Sequence, residues 1–578
     1  MAGTRFIPAT TQDLVKNGIL ASLNDFNSEK TYLDIIFISG DAYVDHPSFG
    51  VPLLARYMQS KGYKVGIIPQ PHWQKKESVK ILGRPRLFFG ISAGNIDSML
   101  HHYTANKKKR HNDPYSESGK HGKRPNRATM VYTSLVKSAY KGVTTVVGGI
   151  EASIRRFAHY DYWSDKIRRS ILFDSKADYL IYGMAEKAIL ALTKYLEAQS
   201  KVNKDGVCQV RGVCQIVKKE ELAHLTELVF LPSYQQIKSD KKEYIKAYLI
   251  YNSTNNSSSE NRLVQKHGNR YLLANPAAKP LTTDEMDEIF QLPFLRKAHP
   301  MYKGDIPALL TVKWSIISHR GCYGGCSFCA LGMHQGMIVQ SRSKVSIISE
   351  VEALIRDPEF KGVISDIGGP TANMYATYCE INGKQKGCKR DSCLYPEICK
   401  NLVFDQKEML EIWKKLEKNS EINHVFVASG VRFDLAVEDR KYLKQLLQSH
   451  VSGQMKVAPE HVCNHVLSLM HKPPKHVFNR FLKLFRKYGN KKLFLIPYMI
   501  SSHPGSTLKD MKAVRSYLER NGLALEQAQD FIPIPMTRST VMYYSEIDPD
   551  NGKKVFVERT ARGKLKQRFS ISPCKKRR

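Results

Sequence analysis

The chain has 578 residues, of which 42% are hydrophobic and 25% are charged. This composition is typical of globular proteins, and it excludes both a wholly disordered chain and a small disulfide scaffold. Lys and Arg number 89 against 54 Asp and Glu, a formal net charge of +35. Such an excess attracts polyanions such as nucleic acid or acidic membrane, although a solvated basic surface without a dedicated partner explains it equally well.

The sequence shows no signal for export or membrane insertion. Its first residues lack an apolar signal region, and no charge-free apolar run approaches the roughly 18–20 residues of a spanning helix. We therefore expect a cytoplasmic protein that has no membrane partner. Because thiols stay reduced in that compartment, closely spaced cysteines indicate metal binding or catalysis before they indicate disulfides.

Apolar, β-branched runs alternate with amphipathic helices through the first half of the chain. The predicted strands are residues 32–39, 64–69, 86–91, 144–147 and 179–182. This rhythm is typical of a doubly wound α/β domain with a parallel sheet, here predicted to span residues 1–293. Two stretches interrupt it, a basic segment at 106–128 that reads as an exposed loop and a polar, flexible insertion near 252–261.

A second series of strand–helix repeats follows and predicts a partial (β/α) barrel over residues 294–535. Its predicted strands are residues 310–318, 362–367, 424–428, 454–458 and 492–500. In such a barrel the active groups lie at the carboxyl ends of the strands. Residues 536–578 form a C-terminal extension, and its basic end from Thr560 is predicted to be a disordered tail.

Three cysteines stand close together directly after the first barrel strand. Cys322, Cys326 and Cys329 have the spacing C-x3-C-x2-C. Three thiolates on one short loop can occupy three corners of an iron–sulfur cube and leave the fourth iron open. A structural zinc site completed by a distant ligand is the alternative, although zinc sites favour paired C-x2-C spacings.

This motif, with Phe328 before the last cysteine, resembles the signature of the radical SAM superfamily. The resemblance implies that the three cysteines bind a [4Fe-4S] cluster whose open iron chelates S-adenosylmethionine. Reductive cleavage would then give a 5′-deoxyadenosyl radical that acts on a substrate, with the electron supplied by a reductant such as flavodoxin or ferredoxin. Phe328 would pack against the cofactor.

Later blocks extend the resemblance to the YgiQ-type radical SAM proteins over nearly the whole chain. These blocks are HRGCYGGCSFCALGMHQG, SDIGGPTANMY, KVAPEH and IPYMISSHPGST. The resemblance places cofactor contacts at successive strand ends, on Gly368, Gly369, Ser429, Arg432, Glu460 and Tyr498. Pro370 stands where the family has an acidic residue, which puts the contact to the methionyl amine on backbone carbonyls. No catalytic side chain and no substrate follow from the resemblance.

Four further cysteines lie in the loop after Gly368 and Gly369. They supply a complete ligand set for zinc or for a second iron–sulfur cluster, and otherwise are small packed residues or reducible thiols. These residues are Cys379, Cys388, Cys393 and Cys399.

The N-terminal domain resembles the cobalamin-binding domains that precede many radical SAM barrels. Its candidate ligand segments are residues 45–50 and 148–151, which follow predicted strands. His46 directly follows Asp45, so the His-containing motif of those domains is not cleanly present and cobalamin is the less favoured ligand. An RNA-associated protein, or a tRNA-modifying radical SAM enzyme whose basic surface and tail bind nucleic acid, is the alternative function.

Overall fold

The computed structural model describes residues 5–202, 206–254, 258–381, 388, 390–523 and 528–571. The chain forms two compact units. The first contains the residues up to Lys279 together with Glu288–Lys313, and the second contains Pro280–Asp287 and everything from Trp314. The division thus falls after Lys313 rather than after residue 293, and residues 536–571 belong to the second unit.

The first unit is built on a nine-stranded sheet. In chain order its strands are β1 Ile35–Ser39, β2 Val65–Pro69, β3 Phe88–Ser92, β4 Thr145–Gly148, β5 Tyr179–Ile181, β6 Val213–Val217, β7 Leu228–Leu231, β8 Arg262–His267 and β9 Arg270–Ala274. Their spatial order is β7-β8-β9-β6-β5-β4-β3-β1-β2. The half from β5 to β2 is wholly parallel, as expected for a doubly wound domain.

The other half of this sheet departs from the doubly wound pattern. β6 pairs antiparallel with both β5 and β9, and β9 pairs antiparallel with β8. The five predicted strands all belong to the parallel half, where every residue of β1 and β2 is buried and the apolar run is continuous. The helices of the first unit are Thr11–Lys16, Gly50–Ser60, Ser98–His102, Ala128–Ala139, Gly149–Ser153, Ile171–Ser175, Glu186–Val202, Tyr234–Ser239, Lys241–Thr254 and Pro307–Val312.

The second unit contains six parallel strands of an open barrel, one of which is interrupted. The strands are β10 Ser315–Ile317, β11 Val363–Ile364, β12 Asp366–Gly368, β13 His424–Val425, β14 Gln454–Glu460, β15 Phe494–Ser501 and β16 Ala528–Asp530, and β11 and β12 are the two parts of the interrupted strand. β10 pairs with β12, β11 with β13, β14 with β15 and β15 with β16. A single parallel bridge between Val431 and Val457 joins the two halves of this partial barrel.

Amphipathic helices cover the outside of these strands and bury one large core. Trp413 and Phe481, from two of the helices, are fully buried there against Ile364 and Val457 of the strands. Capping fixes where the helices begin, as where the Thr507 hydroxyl accepts the N–H of Asp510. The helices of the barrel and its extension are Leu331–Gln335, Lys344–Ile355, Lys407–Leu416, Phe433–Ala436, Arg440–Ser449, Asn464–Leu469, Lys475–Tyr488, Leu508–Arg520, Arg538–Ser545 and Ala561–Ile571.

Two local predictions were wrong. The predicted strand 310–318 begins as the end of a helix, Pro307–Val312, and only Ser315–Ile317 is strand. The predicted disordered tail forms the helix Ala561–Ile571, in which Lys564, Gln567 and Ile571 are buried; residues 572–578 lie outside the described residues. A helix ends at Thr254 and residues 255–257 lie outside the described residues, so the flexible insertion near 252–261 stays a prediction.

Residues 106–128 were predicted to form an exposed loop, and Lys107–Asn112 are exposed, but the segment also has internal structure. Bridges join Tyr103 to Lys109 and Asn112 to Lys120, so this segment is an ordered part of the first unit. Arg124 is only 2% exposed. Separately, the described residues contain no helix with the length and apolar character needed to span a bilayer.

Candidate cluster-binding site

The cysteine loop leaves the carboxyl end of β10 and is closed by a short hairpin. His319–Arg320 pairs with Gln340–Ser341, and the three cysteines lie in the excursion between them. The N–H of Cys322 donates to the carbonyl of Gly336 at 3.0 Å, and the N–H of Gly321 donates to Gln335 Oε1 at 3.1 Å. The loop therefore starts and ends at fixed points of the barrel.

A second loop supports the cysteine loop from behind. Gly325 has a φ of +59°, and a Cβ atom there would lie 2.4 Å from the Asp391 carbonyl oxygen. The Ser392 hydroxyl donates to the Gly324 carbonyl at 2.8 Å, and the N–H of Cys393 donates to the Tyr323 carbonyl at 3.0 Å. Glycine is thus required at 325 both by its left-handed backbone and by this close approach.

Hydrogen-bond donors surround the three thiols. Arg432 Nη1 donates to Cys326 Sγ at 3.3 Å, and the N–H of Leu331 donates to Cys329 Sγ at 3.5 Å. Burial, the largest influence, raises the pKa of Cys329 to about 12. Burial also raises the pKa of Cys322, although hydrogen bonds from Gly324 and Thr371 oppose this. Both thiols are therefore protonated in the free protein, and metal binding must release those protons.

The donor set has the chemistry of an iron–sulfur site, because thiolates are the ligands that such clusters use. In the part of the chain that the structure describes, no three His, Cys, Asp or Glu side chains surround one metal-ion position. A cluster does not need such convergence, because each cysteine binds a different iron at a different corner.

The later strand ends bring charged side chains to this loop. Arg432 forms a buried ion pair with Asp434, and Lys472, which is 4% exposed, lies within electrostatic range of both Asp434 and Glu460. Glu460 ends β14 with a φ of +68°, and burial raises its pKa. A non-glycine residue in this backbone region costs about 1–3 kcal/mol, and such residues concentrate at functional sites. Sequence reasoning found Arg432 and Glu460 but missed Asp434 and Lys472.

The Gly-Gly strand end approaches its neighbours closely. A Cβ on Gly368 would lie 2.5 Å from Ser429 Oγ, and one on Gly369 would lie 2.7 Å from both Cε1 and O of His319. Asp366, which was not predicted, accepts the N–H groups of Ala428 and Ser429 as well as the Ser429 hydroxyl. The Ser429 hydroxyl is therefore already bonded within the protein.

The remaining predicted cofactor residues lie in the same unit. The Phe328 ring meets the buried His503 ring edge to face at 6.2 Å. Tyr498 is half-buried on β15, between the buried residues Pro497 and Met499. Burial lowers the pKa of His503 to about 3, so its imidazole is neutral.

The C-terminal extension contacts the cysteine loop directly, which the sequence did not reveal. The N–H of Ser539 donates to the Ser327 carbonyl at 2.9 Å, and the hydroxyls of the two residues lie 2.8 Å apart. The same Ser539 hydroxyl lies 2.7 Å from His503 Nε2. Ser327 separates Cys326 from Cys329, so the extension fixes the centre of the motif.

The four later cysteines are all half-buried. Cys379 pairs with Leu402 in a short antiparallel ladder, and the N–H of Cys399 donates to the Cys393 carbonyl at 2.8 Å. Among the described residues, no three His, Cys, Asp or Glu side chains surround one point there. A second metal centre bound by Cys379, Cys388, Cys393 and Cys399, either zinc or an auxiliary iron–sulfur cluster, stays a prediction.

The predicted ligand segments of the first unit are occupied by internal contacts. His46 is fully buried, with Arg296 Nη1 2.9 Å from Nε2 and the Ser48 N–H 3.0 Å from Nδ1. The Glu151 carboxylate accepts the N–H groups of Ser98 and Thr129 at 2.8 and 3.0 Å. These are the contacts of packed, hydrogen-bonded residues.

Comparison with known proteins agrees with the site. Residues 19–315 match the radical SAM N-terminal family, and residues 316–518 match the radical SAM superfamily. A UPF0313 protein of Clostridium botulinum is 45% identical over 582 aligned positions, which cover 99% of this chain and 88% of that protein. A UPF0313 protein of Geobacter sulfurreducens is also 45% identical, covering 97% of this chain and 91% of that protein.

Two solved structures are more distant. The radical S-adenosylmethionine methyltransferase TsrM of Kitasatospora setae, with cobalamin and a [4Fe-4S] cluster bound, aligns with 88% of this chain and 74% of its own at 12% identity and a TM-score of 0.48. Coproporphyrinogen III oxidase of Escherichia coli aligns with 44% of this chain and 50% of its own at 13% identity and a TM-score of 0.26. From the family matches and the close relatives, the chain belongs to the radical SAM superfamily of enzymes, a membership that implies a [4Fe-4S] cluster and S-adenosylmethionine.

Proposed function

We propose that Cys322, Cys326 and Cys329 hold the [4Fe-4S] cluster of a radical enzyme whose substrate has still to be identified. The observation that carries this proposal is the set of donors around a short thiol loop at the carboxyl end of the first barrel strand. Arg432 and the Leu331 N–H each point at a sulfur. When bound, such a cluster supplies the electron that cleaves S-adenosylmethionine reductively.

The surrounding residues prepare the site for anionic sulfur. The guanidinium of Arg432 compensates thiolate charge at Cys326, and Asp434 holds that guanidinium in place. Burial raises the pKa of the Cys322 thiol and the charge of Arg432 lowers it, so Arg432 reduces the cost of forming a thiolate at Cys322 when the loop is loaded. Arg432 therefore acts on the cluster loop instead of reaching a cofactor carboxylate.

We assign the cofactor-facing role to the other strand ends. Gly368 and Gly369 leave room for close backbone approach, Glu460 offers a buried carboxyl at the end of β14, and Phe328 and Tyr498 offer aromatic faces. Ser429 shapes this edge through its bond to Asp366. A one-electron reductant such as flavodoxin or ferredoxin is needed as a partner, since no described side chain can supply the electron.

The test is anaerobic reconstitution of the full chain, followed by measurement of iron and of 5′-deoxyadenosine after reduction. Replacing Cys322, Cys326 and Cys329 together by Ala should abolish 5′-deoxyadenosine formation and remove about four irons per chain, the content of one cluster. The matched control replaces Cys208, Cys214 and Cys463, which lie elsewhere in the two units. This control should retain both the iron and the formation of 5′-deoxyadenosine. Unchanged iron in the first variant would refute the assignment.

The same samples test the auxiliary cluster. Iron that remains in the first variant, and disappears when Cys393 and Cys399 are also replaced, would place a second cluster in the later loop. Iron-free protein that is still folded after the first triple replacement would exclude it.

A further inference from the structure

An ordered basic hairpin stands on the first unit, and no part of the radical chemistry uses it. We call residues Tyr103–Lys123 the basic hairpin. The N–H of Thr104 donates to the Lys108 carbonyl at 2.9 Å, and the N–H of Arg110 donates to the His102 carbonyl at 2.7 Å. These bonds fix a turn, so the cations that it carries are displayed in a defined arrangement.

The hairpin carries six exposed cations. No ion pair joins any of them to another part of the described chain, and the sequence from Ser98 to Asn112 contains neither Asp nor Glu. The exposed cations are Lys107, Lys108, Lys109, Arg110, Lys120 and Lys123.

The two carboxylates of the hairpin are engaged elsewhere. Asp113 is fully buried and pairs with Arg124 and His101. Glu117 lies within electrostatic range of Lys120 and Lys123, but its Oε1 accepts the N–H groups of Lys303 and Gly304 at 2.7 and 2.9 Å. The hairpin is therefore a local concentration of the positive charge that the composition shows for the whole chain.

Aromatic side chains lie against this charge. The half-buried ring of Trp163 lies 5.5 Å from the Tyr103 ring and 5.3 Å from the Tyr162 ring. Lys107 Nζ donates to the Trp163 carbonyl at 3.3 Å and lies 5.1 Å from the centroid of the Tyr162 ring. Cations that follow a phosphate backbone, beside an aromatic ring on which a base can stack, are the combination that binds single-stranded nucleic acid.

We propose that the basic hairpin and Trp163 bind single-stranded nucleic acid. An acidic membrane or an inorganic polyanion would use the cations but has no base to place against Trp163. A duplex hides its base faces in the stack, so the aromatic contact favours a single strand. This binding function is separate from the cluster chemistry and requires neither iron nor S-adenosylmethionine.

The test uses the full chain and fluorescence anisotropy with a labelled 20-nucleotide single-stranded RNA, and a DNA of the same sequence, over a series of salt concentrations. Changing Lys108, Lys109 and Arg110 together to Glu should weaken binding by about a hundredfold at low salt. It should also reduce the slope of log affinity against log salt by about 2, since each lost phosphate contact removes about 0.7. The matched control changes the exposed Lys218, Lys219 and Lys238 of the same unit to Glu, with the same change in net charge.

A second variant separates stacking from charge. Trp163→Ala should weaken binding about tenfold and leave the salt slope unchanged, because it removes a base contact and no phosphate contact. Trp73→Ala is its control, since Trp73 is 38% exposed in the same unit. RNA and DNA affinities then show which nucleic acid the site prefers.

Several outcomes would overturn the proposal. Equal weakening by both triple charge changes would show a diffuse basic surface. Insensitivity to Trp163→Ala, with polyphosphate or phosphatidylserine vesicles binding as tightly as RNA, would show a general polyanion or membrane site. Replacing Cys322, Cys326 and Cys329 should leave RNA binding unchanged. The nucleic-acid proposal and the proposed radical chemistry are therefore tested independently, and either can fail without the other.

Discussion

The carboxyl ends of parallel strands look different in the two units of this molecule. In the first unit the strand ends are filled by the chain itself: Arg124 lies between Asp41 and Asp113, and its Nη1 donates to the Ala93 carbonyl at 2.6 Å. In the second unit the strand ends carry thiols that receive hydrogen bonds, and a carboxyl on left-handed backbone at Glu460.

The difference shows that a strand edge becomes a ligand site only where the chain leaves its polar groups available. Both edges have the topology that places ligands outside the carboxyl ends of strands. In the first unit the Arg124 guanidinium pairs with the carboxylates of Asp41 and Asp113 and closes the edge. In the second unit the cysteine sulfur atoms and the Glu460 carboxyl are buried but not fully paired within the protein. They can therefore bind an external partner. Function therefore follows from the side chains and not from the shared topology.

The largest expected effect is the loss of unfolding free energy when Arg124 is removed from the strand edge of the first unit. Arg124→Met leaves Asp41 and Asp113 buried without their cation, which should lower the free energy of unfolding by about 3–5 kcal/mol. Urea unfolding of the full chain measures this loss. Arg124→Met combined with Asp41→Asn should recover part of it. A loss below about 1 kcal/mol would mean that the edge is hydrated and not closed.

Acid should weaken both regions through neutral buried histidines. Burial lowers the pKa of His267 in the first unit and of His461 in the second to about 4, from an ordinary 6.5. The unfolded chain thus binds more protons between pH 6.5 and 4, so stability is complete above pH 6.5 and falls as the pH drops towards 4.

His267→Phe measures one such contribution, because Phe keeps the stacking with Phe173 at 4.4 Å and removes the titration. Between pH 7 and 5 this variant should lose about 2 kcal/mol less unfolding free energy than the wild type. His224→Gln, at an exposed position, is the control. Identical pH profiles for the wild type and His267→Phe would contradict the prediction.

The open edge can be tested through the reduction potential of the reconstituted cluster. Arg432→Gln together with Asp434→Asn removes a cationic donor to Cys326 without leaving a buried unpaired carboxylate. A hydrogen bond to a charged group is worth about 1.5–3 kcal/mol, and a tenfold change in a one-electron equilibrium is about 59 mV. The reduction potential should therefore fall by about 60–130 mV in an EPR redox titration. It should fall less in Arg432→Lys. An unchanged potential would remove Arg432 from the cluster environment.

The sequence predicted those parts of the molecule that local patterns determine. The runs that form β1 and β2 are continuously apolar, and the spacing of Cys322, Cys326 and Cys329 needs no distant information. At residues 310–318 the apolar run was consistent with a strand or a buried helix, and Pro307 at the helix start decided for a helix. The C-terminal helix was missed because it docks largely through polar groups, such as Gln567 Nε2 donating to the Ser506 carbonyl at 2.9 Å.

Contacts between distant positions lay beyond sequence reasoning. Arg124 is in a segment whose composition indicates exposure. Only the folded structure shows that it pairs with two buried carboxylates. The left-handed backbone of Glu460 depends on how β14 ends against its neighbours. The residue type at this position does not predict it. Ser539 is 212 positions away from Ser327, and the helix that carries it lies after the matched superfamily domain.

The smallest effect concerns that last contact, between the extension and the open edge. Ser539→Ala removes the hydroxyl that lies between Ser327 and His503 but keeps the backbone bond to Ser327, so the free energy of unfolding should fall by only about 1 kcal/mol. Ser545→Ala is the matched control, because Ser545 lies on the same helix and donates to its own Val541 carbonyl at 2.8 Å. Both variants should lose similar stability, but only Ser539→Ala should accelerate iron release to a chelator, by about tenfold, since loosened support of metal ligands weakens metal retention. Equal iron-release rates in the two variants would mean that the extension stabilises the fold without positioning the cysteine loop.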